Sequence, residues 1–556
     1  MSGNAAIYLD PEAYRTDAPF LMGRHSAGES FLRGFLRHGA VDRFRLWNIA
    51  RHPRDQVEGL VKALHPAADR LSWVDGIARG ELSDPGIVQL TGPFVGREAW
   101  QRQPFGQNRY GLCGLTHTTS SAEIQADLGQ LLLAPVEPFD ALICTSTAVR
   151  DAVETQLAAF RDYLGWLFGH RQLAEPQRAT IPLGVNVDDF RRSDADRAAW
   201  RARLGVADDE VVALYVGRFS LLGKMNPGVM ALALEQAARD TGRKLVWVLS
   251  GWAEDEAGAE ARYHAPARAL CPSVRYVVVD GRPADVRFSI WSIADFFISL
   301  SENVQETFGL TPLEAMAAGL PSVVSDWNGY RDTVRDNVDG FRIPTISPGP
   351  GAGADLAHRY ADGRLDYPYY VGAAAQFTAV DLRRAADAIS VLVRHPRIAR
   401  QMGADAQARA RSEFDWSAII PRYQALWAEL DARRRAADAS PRPRAAGVNP
   451  WRMDPFSVFA GYASAHLGAT TLVSAPPDFT LAAAIERLNN PLAAYYTANF
   501  PTPDEIGQIL AGLSGGPLQV AELLVRFPAG RRFYLERGLA WMAKFGVLHL
   551  ASAEAA

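Results

Sequence analysis

The sequence predicts an α/β protein, with two doubly wound parallel-sheet domains in tandem and a small, mainly helical module after them. Three observations predict it. Residues 211–336 alternate nearly continuous apolar runs (VVALYVG, KLVWVLSG, VRYVVVDG, DFFISLS, PSVVSD) with helical stretches such as PGVMALALEQAARDTG. Runs of β-branched and aromatic residues without in/out alternation are what parallel strands covered on both faces require. The first part of the chain repeats the plan in AAIYLD, FRLWNIA, DRLSWVD, YGLCGLTH, ALICTS and RATIPLG, with helices over 27–39, 120–133 and 147–170. Beyond AELDARRR the chain turns rich in Ala, Pro and Arg, as linkers do, and a separate stretch with three helical patterns and a last short strand follows.

These elements divide the chain into a first domain over 1–190 and a second over 191–414, the latter interrupted by a Gly/Pro-rich surface insertion at 345–375. A linker over 435–450 leads to a winged-helix-like module over 451–556. Ligands of doubly wound sheets bind outside the carboxyl ends of the strands, so two facing domains place a ligand between them.

Length and composition set the class. A chain of 556 residues supports about three domains, and 48% hydrophobic with 22% charged residues is ordinary for a globular protein. A formal net charge of −4 provides no global attraction for nucleic acid or an anionic membrane. The last module balances its Arg and Lys with Asp and Glu, so it is expected to dock a protein partner or a second copy rather than DNA. Cys113, Cys144 and Cys271 sit in apolar runs at spacings that fit no metal site or disulfide framework, which points to a reducing cytoplasm. The start, MSGNAAIYLDPEAYRTD, has no signal-peptide pattern, and no apolar run approaches the ~20 residues of a membrane span. The expected location is cytoplasmic, with peripheral contact at the inner membrane face compatible with it.

The stretch ENVQETFGLTPLEAMAAGLPSVVSD (302–326) carries the sharpest signal. Glu306 and Glu314 stand eight positions apart, around a Phe-Gly dipeptide. Thr311 reads as an N-cap, Pro312 as the first helical residue, and Thr311-x-x-Glu314 as a capping box; Gly319 and Pro321 stop the helix. Capping therefore accounts for Glu314 without a ligand. It does not account for Glu306, in the loop directly after a strand.

The segment ETFGLTPLEAMAAGLPSVVSDWNGYRDTVRDNVDGFRIP resembles the nucleotide-binding segment of retaining GT-B glycosyltransferases, family 4 in particular, which carry Glu-x7-Glu with an intervening FG. Glu306 and Glu314 match that motif; DWNGYRD departs from the Gly-Gly pair common there, retaining Gly329. The resemblance covers roughly residues 1–434 and is densest over 211–345. It implies a GT-B fold, with FDWSAIIPRYQALWAEL crossing back onto the first domain as a helix over 415–434. It also implies roles. Glu306 and the amides around Thr307, Phe308, Gly309 and Leu310 would hold the donor sugar, and Glu314 the ribose. Arg218 and Lys224, in VGRFSLLGKMNP after the first strand of the second domain, would neutralise the donor diphosphate. His117, at the end of YGLCGLTH, would hydrogen-bond near the reacting centre. Gly28, in a Gly-rich loop with a Ser26-x-x-Glu29 capping box, would approach a phosphate or acceptor. Gly251, Gly281 and Arg282, at two further strand ends, would bracket the base.

The implied reaction is transfer of a sugar from a nucleoside-diphosphate sugar, UDP-linked in preference to GDP-linked, to a saccharide, lipid or protein hydroxyl, with retention at the anomeric carbon. No cofactor or metal is expected. Asp194-Ala195-Asp196 has the Asp-x-Asp pattern but lies at a helix start, where capping explains it. The alternatives are a GT-B phosphorylase or hydrolase, using phosphate or water as acceptor, and a ligand-sensing regulator that binds DNA or protein through the last module.

Overall fold

The computed structural model describes residues 3–14, 23–49, 52–64, 70–76, 78–169, 173–437, 449–477, 479–495 and 499–551. The chain divides into two compact units, residues 1–447 and 448–556.

The first unit contains two parallel sheets. One has seven strands: β1 Ala6–Tyr8, β2 Phe44–Asn48, β3 Leu71–Asp75, β4 Ile87–Gln89, β5 Gly111–Leu115, β6 Ala141–Cys144 and β7 Gln177–Thr180. Their order is β3-β2-β1-β4-β5-β6-β7. The other has six: β8 Val211–Val216, β9 Leu245–Gly251, β10 Val274–Asp280, β11 Phe296–Ser299, β12 Ser322–Ser325 and β13 Gly340–Ile343, ordered β10-β9-β8-β11-β12-β13. Numbered within each sheet, both begin 3-2-1-4-5-6, the doubly wound order whose direction reverses between the first and fourth strands. That switch point lies between β1 and β4 in one sheet and between β8 and β11 in the other.

The apolar runs explain the layering. All seven residues of β9 (LVWVLSG) are buried, as a strand with helices on both faces must be, whereas β10 at the edge is largely half-exposed. Two strands lie beyond those the apolar runs mark out. β4 is only IVQ, and β13 (GFRI) carries an arginine on the sheet edge, so neither stands out by hydrophobicity.

The helix Trp416–Ala436 packs on the first sheet, although its sequence follows the second. Trp416 donates to Ser30 Oγ at 2.7 Å and Trp427 to Gln89 Oε1 at 3.1 Å, while Phe31 and Phe35 meet these indoles edge-on. It ends at Ala436; most of the expected linker, 438–448, lies outside the described residues.

The insertion is more ordered than its Gly/Pro content implies. Strands β14 Thr345–Ile346 and β15 Ala379–Val380 close it as an antiparallel ribbon around helices Ala354–Ala361 and Tyr367–Gln376. Its tyrosines reach the first sheet's side. Tyr360 Oη accepts the Ala122 N–H at 2.8 Å, satisfying a free first-turn donor of the helix Ala122–Leu133, and the Tyr367 hydroxyl meets Ser120 Oγ at 3.0 Å.

The second unit has helices Leu481–Leu488, Pro503–Gly512, Val520–Leu524 and Ala529–Lys544. A small antiparallel sheet accompanies them, ordered β17 Leu518–Gln519, β16 Leu472–Ser474, β18 His549–Ala551. Val473, Ile509, Leu523, Leu535 and Leu539 are among its fully buried core. Two of its strands, β16 and β17, lie outside the three helices and final strand legible in the sequence.

Candidate functional site

The loops after β8 and β11 flank the switch point of the second sheet, and they bring Lys224 and Glu306 together. Lys224 Nζ lies 2.6 Å from Glu306 Oε2, with side chains only 23% and 11% exposed. Burial pushes the Glu306 carboxyl up, but Lys224 and the backbone N–H groups of Thr307 and Phe308 outweigh it and hold the group below the usual carboxylate range. Glu306 is therefore an anion at neutral pH, fixed at the carboxyl end of the sheet. Arg218 leaves the same loop, its guanidinium 3.9 Å from Glu254.

The loop geometry follows from three strand-end glycines. A Cβ on Gly251 would stand 1.9 Å from the Gly217 carbonyl oxygen, and one on Gly281 would stand 3.0 Å from the Gly251 nitrogen. The ends of β8, β9 and β10 thus stack backbone on backbone, which sets where Arg218 and Lys224 emerge. Arg282, beyond Gly281, is folded back onto Asp280, with Nη2 2.9 Å from Oδ2.

Residues 307–310 divide their tasks. Thr307 faces the first sheet: its hydroxyl donates to the His117 carbonyl at 2.9 Å, and its own carbonyl accepts from Ser146 Oγ at 2.7 Å. Phe308 is core, 1% exposed. Gly309 adopts φ +86°, and a Cβ there would lie 2.1 Å from the Tyr330 ring. Gly329 presses on the Phe308 backbone, at 2.4 Å from Cα for a Cβ, so the DWNG departure still supplies the glycine the turn requires.

Here two sequence expectations are corrected. Thr311 is not an N-cap: the helix runs Leu310–Ala317 from Gly309, without a side-chain cap, because left-handed Gly309 starts it two residues early. Glu314 therefore forms no capping box. It opens instead on a small cavity of about 40 Å³ that Glu29, Arg33, Asp189 and Arg287 also line. Desolvation raises its carboxyl to about 7, against opposing pulls from Arg287 and Lys224. Likewise Ser26 and Gly28 lie inside the helix Gly23–His38, not in a loop, so the Ser26-x-x-Glu29 box does not form and Gly28 presents no loop amide. Gly28 is small because the Ala13 carbonyl oxygen would stand 2.3 Å from its Cβ. At Asp194-Ala195-Asp196, Ser193 is the N-cap, accepting from the Asp196 N–H at 3.0 Å.

His117 and Gly28 line a separate, larger cavity of about 480 Å³ at the switch point of the first sheet, to which the β1 and β4 loops also contribute. Among the described residues no group of three His, Cys, Asp or Glu is placed to hold a metal ion.

Sequence reasoning passed over Glu302, four residues before Glu306 in the same loop. It is 4% exposed, accepts the Asn226 N–H at 2.9 Å, and burial raises it to about 7. Neighbouring Asn303 is fully buried and donates to the Leu222 carbonyl at 2.7 Å, tying the β11 loop to the lysine loop. The signal was a second acid and an amide immediately after an apolar strand, at the position where such sheets hold ligands.

Residues 196–348 match the family of glycosyl transferases group 1. The group 1 segment contains Arg218, Lys224, Glu306 and Glu314. The chain is 33% identical over 188 residues to a D-inositol 3-phosphate glycosyltransferase of Geodermatophilus obscurus, covering 33% of this chain and 40% of that protein. It is 31% identical over 247 residues to one of Streptomyces scabiei, covering 43% and 52%. The chain thus spans about half the length, or less, of these curated relatives. Among solved structures, Anabaena Alr3699/HepE in complex with UDP aligns with a TM-score of 0.49 at 16% identity, over 76% of this chain and 100% of that one. The sucrose-phosphate synthase of Thermosynechococcus elongatus aligns at 0.46 and 17%, over 77% and 100%. The two Rossmann-like sheets joined by a returning C-terminal helix constitute a GT-B fold.

Proposed function

We propose that this protein is a glycosyltransferase that moves a sugar from a nucleoside-diphosphate sugar to an acceptor hydroxyl, with retention and without a metal. The observation that carries the reading is the Lys224–Glu306 pair, at 2.6 Å on the switch point of the sheet that matches the group 1 family.

The chemistry follows from charge. An ionised Glu306 accepts hydrogen bonds from sugar hydroxyls, and the start of the helix Leu310–Ala317, which has no side-chain cap, favours an anionic phosphate. As the glycosidic bond breaks, negative charge grows on the departing diphosphate. Lys224 and Arg218, held on one loop, stabilise that charge more than the ground state, which is where electrostatic catalysis comes from. Glu314, within electrostatic reach of Lys224, is assigned to the nucleoside hydroxyls. The ligands named for Anabaena Alr3699/HepE, UDP in one structure and UDP-glucose in another, make a UDP-linked donor the first to try. The names of the curated relatives put inositol phosphate among the acceptors to assay.

The test is a thermal-shift screen of nucleoside diphosphates followed by product analysis. UDP at ~100 times its dissociation constant should stabilise the protein by ~2.7 kcal/mol, with GDP weaker. Product NMR should show the donor's anomeric configuration retained, and EDTA should leave the rate unchanged. Release of free sugar alone would indicate a hydrolase, and sugar phosphate a phosphorylase. Salt-sensitive DNA binding without turnover would indicate a regulator.

A further inference from the structure

The loop after β12 grips the loop after β11 along its length. Ser325 Oγ donates to the Ser301 carbonyl, Trp327 Nε1 to the Asn303 carbonyl at 3.0 Å, and Asn328 Nδ2 to the Glu306 carbonyl. Gly329 then packs on the Phe308 backbone. Asn328 is the strained member of this row. Its φ of +46° lies in the left-handed region, which Asn tolerates better than most residues but which glycine adopts freely. A side chain thus stands where the backbone alone favours none, and it is engaged on two sides. Beyond its bond to Glu306, Asn328 Oδ1 lies 3.4 Å from Ser146 Oγ, which N-caps the helix Thr147–Phe168 and donates to the Thr307 carbonyl at 2.7 Å. Asp332 accepts the Thr147 N–H at 2.6 Å, seating the same turn on that helix.

The consequence lies in one peptide plane. The Glu306 carbonyl and the Thr307 N–H belong to the same rigid unit and point opposite ways. Asn328 holds the carbonyl end, and the N–H end donates to the Glu306 carboxylate. On the proposed function, we infer that Asn328 is a positioning residue of the donor site: its carboxamide locks the Glu306–Thr307 peptide against the first sheet's helix and so aims the carboxylate that meets Lys224. A loop carboxylate can be placed no better than the peptide that bears it, and catalysis is sensitive to small misplacements.

Asn328→Gly removes the carboxamide and leaves a residue at ease at this φ. Asn328→Asp keeps the shape but offers the Glu306 carbonyl an oxygen instead of a donor. Both are made in the full chain, and the glycine variant also in the Glu306→Ala background. UDP release from UDP-glucose is followed with D-inositol 3-phosphate as acceptor, and UDP-glucose binding by calorimetry. Each single variant should lose about tenfold or more in kcat/KM, with a cooperative melt retained. In the Glu306→Ala background the glycine substitution should change the rate by less than about twofold, because the carboxylate through which Asn328 acts is gone. The same pattern is expected in the UDP-glucose dissociation constant, which needs no acceptor. Equal losses in the two backgrounds would show a merely structural role, and an unimpaired Asn328→Gly would show none; either overturns the inference. A parent that neither binds UDP-glucose nor shifts with UDP refutes the donor reading itself, and the inference falls with it.

Discussion

Lys224 Nζ and Glu306 Oε2 are 2.6 Å apart, although 82 positions separate the residues in the chain. Each neutralises the other, and on the proposed function a donor competes for both, so the pair has two separable roles. Lys224→Ala should lower kcat by ~10²–10³-fold, the usual effect of losing one charge-stabilising group, and Glu306→Gln should do likewise. Both single variants should also melt earlier, because each strands a largely buried partner. The double variant should regain part of the lost melting temperature but none of the activity. Steady-state kinetics beside calorimetry checks this; single-variant rates within a factor of about two of the parent would refute the site.

Gly251 tests whether loop placement matters apart from charge. Alanine there would put its Cβ 1.9 Å from the Gly217 carbonyl oxygen and push the loop that carries Arg218 and Lys224. Catalysis depends on such positioning, so Gly251→Ala should lose ~10²-fold or more in kcat/KM while the far-UV circular dichroism is kept.

Glu302 should give the protein a pH-dependent stability. Its carboxyl rises from an ordinary 4.5 to about 7 on folding, so the folded state holds a proton that the unfolded chain releases. Its contribution is full below pH 4.5 and is lost as pH rises through about 7. At about 1.4 kcal/mol per pH unit, the loss is at most ~3.5 kcal/mol. Glu302→Gln, which resembles the protonated acid, should flatten the urea-denaturation midpoint between pH 5 and 8; an unchanged slope would show that another group carries it.

Tyr367 and Tyr360 join the insertion to the loop and helix that follow His117. At its other side Gly372 packs on Leu222 of the lysine loop, where a Cβ would lie 2.6 Å from Leu222 Cδ2. The insertion therefore touches both walls of the cleft. Tyr360→Phe with Tyr367→Phe should raise donor hydrolysis relative to transfer several-fold, since water exclusion depends on the walls staying together. Chromatography of free sugar against transfer product measures the ratio.

Sequence patterns were enough for most strands of both sheets, because parallel strands buried on two faces announce themselves as unbroken apolar runs. They were not enough for β4 and β13. A three-residue strand at the centre of a sheet is made by its neighbours, and an edge strand with an arginine lacks the apolar signature. Arg218, Lys224, Glu306 and Glu314 were legible as candidates from spacing and family resemblance. Their partners were not. The capping box at Thr311 looked complete in one dimension, yet the left-handed Gly309, wedged against the Tyr330 ring, started the helix earlier.

What the sequence by itself determined is therefore the fold class, the two-sheet plan and the strand-end loops that carry the candidate residues, since these follow from local periodicity and turn chemistry. Tertiary structure alone decided that Lys224 meets Glu306, that Glu302 is buried against the Asn226 N–H, that Glu314 faces Arg287 rather than a helix cap, and that the insertion's tyrosines reach across to Ser120 and Ala122. Ionisation and contact depend on distance in space. Only the packed sheets bring strand ends from remote parts of the chain to one switch point.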